Sequence, residues 1–422
     1  MPGSCGLWRR YDTNEQETFR RKACADELPT AQDQMPNEVE RLHAKYGPGR
    51  IFARGFAMPY IRAMEPIVDS RYAILRQQLD SLADRGEVFD LRKYITYCIV
   101  DILGELAFGE PLGNQRDCDP EKIPPVSEAL WAACVLGQMP SIAPAAQNMA
   151  AKLPLLGARA MQDGRNRLVA LAVRNVKARL DDPGMVRDDI LGIIMSATEE
   201  KTGKHLSNEQ VVMEAFTLLV GGTHTTGNTL HVLLANMARH PEHLKRFVAE
   251  IDERLPTLKP EQAAYSMVGL EEKLNFVNAC IKENYRTDPV ATFNMTRVPP
   301  EDALVDGHHV PAGTQCSVNI HALHHNETLW GHDHDLFNPD RWYGKEAPNA
   351  EWLNPFGTGK RNCVGQNLAR TNVLKMATTL LKAYEFEFLN TDKPIVMVSH
   401  GDSDLRTPVM VRCKIRGERF SG

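Results

Sequence analysis

A single cysteine, Cys363, sits in the run Phe356-Gly-Thr-Gly359-Lys-Arg361-Asn-Cys363-Val-Gly365, just ahead of a long helical pattern. Glycines, having no Cβ, let the backbone turn tightly and approach a flat partner. The helix N-terminus downstream offers exposed N–H groups and a positive dipole end, which favour a thiolate over a thiol. A thiolate held in this way can be the axial ligand of haem iron, donating electron density that favours O–O cleavage. Arg361, two residues earlier, can meet a haem propionate through a charge-assisted bond. The plain alternative for a lone cysteine is a buried apolar residue in a loop. It is disfavoured here, because phenylalanine, spaced glycines, arginine and cysteine all fall in one register.

Two other groups of residues invite chemistry. Leu219-Val-Gly221-Gly222-Thr223-His224-Thr225-Thr226 lies inside a helical pattern. Two adjacent glycines in a helix interior cost about 1 kcal/mol each relative to alanine, so something must offset them. Close approach of a flat ligand, or local widening of the helix, would do so. Glu283-Asn-Tyr-Arg286 places a carboxylate and a guanidinium on one helix face. Phe337-Asn-Pro339-Asp-Arg341-Trp342 then supplies a second arginine. His308, His309, His321, His324, His325, His332 and His334 crowd one stretch, but no His-Glu-x-x-His or cysteine pair accompanies them, so a dedicated zinc site is not expected.

The cysteine run resembles the haem-binding loop of the cytochrome P450 family, Phe-x-x-Gly-x-Arg-x-Cys-x-Gly, and meets every fixed position. The resemblance implies a haem-thiolate monooxygenase with haem b ligated by Cys363. Phe356, Gly359, Arg361 and Gly365 would shape and anchor the haem site. The 219–226 run is similar to the family's oxygen-binding segment, Ala/Gly-Gly-x-Asp/Glu-Thr-Thr/Ser. Gly221, Gly222 and Thr225 would line the oxygen pocket, and the Thr225 hydroxyl would help deliver the proton for O–O heterolysis. The usual acid is replaced by His224. Histidine can also relay protons, since its unperturbed pKa is about 6.5, or it can simply bond to a neighbouring turn. Glu283, Arg286 and Arg341 match the family's Glu-x-x-Arg helix and its Phe-x-Pro-x-Arg partner loop, implying a buried structural triad. Arg297, Arg50 and Arg54 are weaker candidates for propionate contacts.

The elements that must hold these residues are mostly helices. Ile67–Ala83 and Asp90–Phe108 carry apolar residues at three-and-four spacing. Ser207 caps a helix with Gln210 closing a capping box, and the pattern runs to His240, where Pro241 stops it. Pro241–Leu255, Gly269–Thr287 and Val364–Tyr384 read as further helices. Ala303–Leu323 reads as a small β-hairpin around Asp306-Gly307 and Pro311-Ala-Gly313, with Ser317-Val-Asn-Ile320 alternating. Pro394–Ile415 reads as a terminal hairpin. The expected fold class is mainly α with small β-sheets, in the cytochrome P450 fold with its N-terminal part shortened. Residues 1–48 read as a poorly structured segment and residues 49–422 as one haem-thiolate domain. Met35–Pro48 resembles the lead-in to the first sheet of fungal members, and Gly49–Met58 resembles the middle of helix C. A segment holding the first sheet and helix B is therefore read as absent near Pro48–Gly49, the alternative being divergence of the N-terminal part. Residues 135–160 fall where relatives carry a region that can touch membrane; a buried helix pair would look the same.

With 422 residues, 43% of them hydrophobic, the chain can bury a large core. A net charge of −5 without a long basic run argues against nucleic acid as a partner. Nine cysteines without regular spacing suit reduced thiols inside the cell. No apolar run is long enough to span a bilayer, so no transmembrane anchor is read in this chain, although the family resemblance implies the endoplasmic reticulum surface. It also implies a hydrophobic small-molecule substrate, O2, an NADPH–cytochrome P450 reductase and a setting in fungal secondary metabolism. Two rivals stay open: a haem-thiolate dehydratase, isomerase or coupling enzyme marked by His224, and an inactive truncated remnant.

Overall fold

Helical punctuation in the sequence is used almost literally. In the computed structural model, which describes residues 56–119, 158–182, 189–196, 205–259, 261–292, 296–343, 347–399 and 402–416, short helix α1 (Met58–Ala63) leads into α2 (Glu65–Arg85). Helix α2 buries Val68, Tyr72, Leu75, Leu79 and Leu82, a three-and-four stripe, and stops at Gly86 in the left-handed region (φ +61°). After strand β1 (Phe89–Asp90), the Asp90 side chain accepts from Arg92 N and starts α3 (Leu91–Phe108), a helix buried on most of its surface. Helices α4 (Asn114–Asp117), α5 (Ala158–Asp181) and α6 (Ile190–Ser196) follow.

Helix α7 (Asn208–Arg239) has 32 residues, about 48 Å at 1.5 Å per residue. Its capping box is present: Gln210 N donates to Ser207 Oγ at 3.3 Å, and Ser207 N to Gln210 Oε1 at 2.8 Å. The helix packs along α3 and α5. Pro241 does not merely stop α7; it opens α8 (Pro241–Arg254), where its missing N–H costs nothing. The single helix expected over 269–287 is two, α9 (Leu270–Lys273) and α10 (Asn275–Thr287). The break at Leu274 is held by Glu250 of α8, whose carboxylate accepts from Phe276 N (3.0 Å) and Val277 N (2.8 Å).

The β-hairpin is shorter than the pattern implies, β2 (Ala303–Val305) on β3 (His308–Val310). The alternating Ser317–Ile320 is not a strand, because Asn319 accepts from Ala322 N and caps α11 (Ile320–His324). Helix α12 (Glu327–Trp330) and short 3₁₀ turns lead to α13 (Gln366–Ala383), which packs against α7.

The C-terminal segment is not one hairpin. β5 (Met397–Ser399) pairs with β6 (Ser403–Leu405), while β7 (Met410–Ile415) lies between β1 and β4 (Tyr384–Phe388), antiparallel to both. Val411 and Cys413 of β7 face the core at the two-residue period of a strand. Among the described residues, no helix is long and apolar enough to cross a membrane.

Candidate functional site

The Cys363 loop is closed by its own backbone. Cys363 N donates to Phe356 O at 2.7 Å, and Asn362 N donates to Gly359 O at 3.1 Å across a 3₁₀ turn. Gly359 sits at φ +73°, a conformation that glycine adopts without strain. Gly365 precedes α13, and its N–H bonds to the Cys363 sulfur. Phe356 packs edge-on to Tyr285 at 5.2 Å between ring centroids, so the loop is anchored on α10.

Cys363 is exposed, yet its surroundings crowd it enough that burial pushes the thiol up from its ordinary value, against the Gly365 N–H. Desolvation is thus the larger influence on the thiol and the Gly365 N–H the smaller, opposing one. A metal that replaces the proton supplies the missing charge.

In α7, Gly221 is exposed, and a Cβ placed there would meet no atom within 4 Å. Thr225 lies one turn on, half-buried, its hydroxyl donating to Gly221 O at 2.6 Å. The helix stays α-helical throughout, so the expected widening does not occur. Gly222 has a different use: a Cβ there would lie 2.7 Å from Leu103 Cδ1, so its bareness lets α3 approach.

The His224 side chain is 7% exposed, and its Nε2–H donates to Asp404 Oδ1 on β6. Asp404 lies below the usual carboxylate range even though burial opposes this, because His224 and Arg406 hold it ionised.

Arg361 is exposed and has no carboxylate partner among the described residues. Half-buried Arg297 lies near enough that its guanidinium is pushed down, chiefly by burial and then by repulsion from Arg361. Two neighbouring guanidiniums form a place for anions. Arg50 and Arg54 lie outside the described residues, as do the Pro48–Gly49 junction and residues 135–157. An exposed soft sulfur donor, an open glycine face on α7 and two neighbouring guanidiniums are a donor set that suits haem, and the residues fit it.

Behind the loop, Glu283, Arg286 and Arg341 do meet. Glu283 and Arg286 have no exposed side-chain surface, and Arg341 has 7%. Glu283 Oε1 accepts from Arg286 Nη2 (2.8 Å), Arg341 Nε (2.9 Å) and Asn338 N (2.9 Å). Its Oε2 accepts from Arg286 Nε and Trp342 Nε1, both at 3.0 Å. Arg286 Nη1 also reaches the His324 carbonyl at 2.8 Å, which ties α10 to α11. Of the clustered histidines, His321 and His325 stack with ring centroids 4.1 Å apart, while His309 bonds Asp302, His332 bonds Glu327, and His324 is fully buried and accepts from Asn354 N at 2.9 Å.

Sequence reading missed Asp404 and Asn228. Asn228 Nδ2 donates to Ser403 O, and its Oδ1 accepts from Leu405 N at 2.9 Å, pinning the β5–β6 hairpin to α7. Neither belongs to a motif, and their partners lie 175 or more residues away in the chain.

Comparison with known proteins agrees with this geometry. The family model described as Cytochrome P450 matches residues 30–408. A cytochrome P450 monooxygenase of Gibberella zeae is 28% identical over 362 residues, covering 83% of this chain and 80% of the relative. Cytochrome P450 monooxygenase mpsF of Macrophomina phaseolina is 26% identical over 381 residues, 88% of each. Cytochrome P450 4F5 of Rattus norvegicus is 35% identical over 208 residues, 49% of this chain and 38% of that protein.

Proposed function

Because the chain belongs to the cytochrome P450 family, whose haem is ligated by a cysteine, we propose that it is a monooxygenase acting on a hydrophobic small molecule. The observation that carries this reading is the exposed Cys363 sulfur in a glycine-shaped loop, in a fold that also presents the open Gly221–Thr225 face. When bound, haem supplies the activation of O2. One oxygen atom enters the substrate, and the other leaves as water with two electrons and two protons.

This chain's residues prepare that chemistry. Cys363 Sγ would be the iron ligand, and the Gly365 N–H would support its negative charge. Arg361 and Arg297 would hold the propionates. Gly221 leaves room for the flat group, and Phe356 packs the loop against α10. The Thr225 hydroxyl, which donates to Gly221 O at 2.6 Å, would turn from that bond to serve the oxygen pocket, and the neighbouring His224 would relay protons to it. Electrons come from NADPH through a separate reductase. Fungal relatives support a role in secondary metabolism, and family resemblance supports work at the endoplasmic reticulum surface.

The test is the spectrum of the purified, haem-loaded protein, reduced under carbon monoxide. A thiolate-type Soret band that Cys363→Ser abolishes is the expected result. A band unchanged by that substitution, or no haem uptake by the wild-type protein, overturns the proposal.

A further inference from the structure

The carboxylate missing from α7 at position 224 is present in space. It is Asp404, delivered from the β5–β6 hairpin 180 residues later. Three features distinguish this contact from an ordinary surface pair. The imidazole is nearly buried, at 7% exposure, and its Nδ1 is buried with no hydrogen-bond partner among the described residues. Asp404 is 26% exposed and its Oδ2 lies 3.4 Å from Arg406 Nη2, so the pair runs from solvent to the helix. The hairpin is fixed twice on its other contacts: by Asn228, one turn beyond His224, and by Ser403 N donating to Val290 O at 2.7 Å.

Resting on the haem reading above, we propose that Asp404 is a positioning residue for proton delivery through His224. Its carboxylate accepts from Nε2–H, fixing the tautomer and aim of the ring and leaving the buried, unpartnered Nδ1 as the nitrogen available to exchange protons. In each turnover the neutral Nε2–H ring would take a proton at Nδ1 and pass it on toward Thr225, and Asp404 would stay ionised throughout. The same division of labour, in which a buried carboxylate orients a histidine that does the transfer, operates in serine hydrolase triads.

The charged groups around the pair are consistent with it. Asp402, on the same hairpin, has its carboxyl pushed up, chiefly by burial, with His224 drawing it down and Asp404 pushing it further up. His231, two turns along α7, is held neutral by burial, with Arg92 and Asp90 of the α3 start beyond it. Arg406 balances Asp404 from the solvent side.

Asp404→Asn separates this role from a merely structural latch. The amide keeps an acceptor and leaves the Asn228 clamp in place, but it removes the charge. The first readout is nitrogen NMR of ¹⁵N-histidine-labelled holoenzyme as the reduced carbon monoxide complex. Wild-type protein should show His224 as the Nε2–H tautomer, and Asp404→Asn should show a mixture. The second is oxidation of NADPH by holoenzyme and reductase without added substrate. Peroxide release (O2 + NADPH + H⁺ → H2O2 + NADP⁺) is compared with water formation (O2 + 2 NADPH + 2 H⁺ → 2 H2O + 2 NADP⁺). The water branch should fall by about 100-fold, the low end of what a positioned acid contributes, and Asp404→Glu should restore much of it.

A normal thiolate Soret band with unchanged tautomer and unchanged branching overturns this inference alone. A wild-type protein without that band overturns the haem reading, and this inference with it.

Discussion

Replacing Glu283 with glutamine tests whether the buried triad carries the weight its geometry implies. The Glu283 carboxylate takes five donors at 2.8–3.0 Å, three on Oε1 and two on Oε2, with no exposed side-chain surface. Glutamine keeps the volume but replaces one acceptor oxygen with an N–H donor. In its better orientation the amide nitrogen takes the Oε2 place, and Arg286 Nε and Trp342 Nε1 then face a donor. Two bonds to a charged acceptor, at about 1.5–3 kcal/mol each, are lost. Arg286 remains buried without its counter-charge, whereas Arg341 keeps Asp333 at 2.9 Å, and breaking a buried pair costs about 3–5 kcal/mol. The two routes give losses of about 3–6 and about 3–5 kcal/mol, a large part of the stability of an ordinary domain. The control is Asp340→Asn. Arg246 and Asp340 make a bidentate pair at 2.7 and 2.8 Å, but both are about half exposed, so its loss should cost at most about 1 kcal/mol. Urea unfolding at pH 7, followed by far-UV circular dichroism, gives both numbers. If Glu283→Gln costs no more than Asp340→Asn, the triad is not the keystone proposed.

Acid should weaken the fold through histidines that are kept neutral. His324 and His231 are pushed down by burial to about 3, against about 6.5 when unfolded. Their neutral forms stabilise the fold fully above pH 6.5, and that contribution is lost as pH falls toward 3. At pH 5 the loss is about 2 kcal/mol per histidine, and in urea titrations from pH 7 to 5 His324→Gln should flatten the slope by that amount. Gly222→Ala should cost up to about 2 kcal/mol, about 1–3 for the methyl that meets Leu103 Cδ1 at 2.7 Å less about 1 gained by alanine in a helix, and Leu103→Ala should relieve much of the clash in a double-mutant cycle. Gly221→Ala meets nothing within 4 Å, so it should instead stabilise the haem-free protein by up to about 1 kcal/mol in the same urea assay.

What the chain announces locally, it builds locally. The Ser207–Gln210 capping box, the α7 register and the turn at Gly359 follow from neighbouring residues, and the structure contains all three. Readings fail where a distant group decides. Nothing near Leu274 announces a helix break; Glu250, from another helix, supplies the acceptor that starts α10. Four alternating residues at Ser317–Ile320 cannot distinguish a strand from a loop into a cap, and Asn319 chose the cap. The 394–415 segment divides because Asn228 holds 403–405 on α7 while β7 completes a sheet with β1 and β4. The Glu283–Arg341 contact spans 58 residues and was legible only because both ends belong to a recognisable pattern.

His224 shows how a departure from pattern can be a matched change rather than a loss. The hairpin brings Asp402 and Asp404 to this part of α7. A carboxylate at position 224 would add a third acid to a poorly solvated place, where like charges repel strongly and one group would be forced to hold a proton. Histidine reverses that interaction. It draws Asp404 into its ionised form, satisfies one ring nitrogen and leaves the other free to exchange. The helix and the hairpin therefore make sense together: the acid belongs to the strand because the imidazole belongs to the helix. Either residue alone would leave a buried charge or a buried ring nitrogen without its partner.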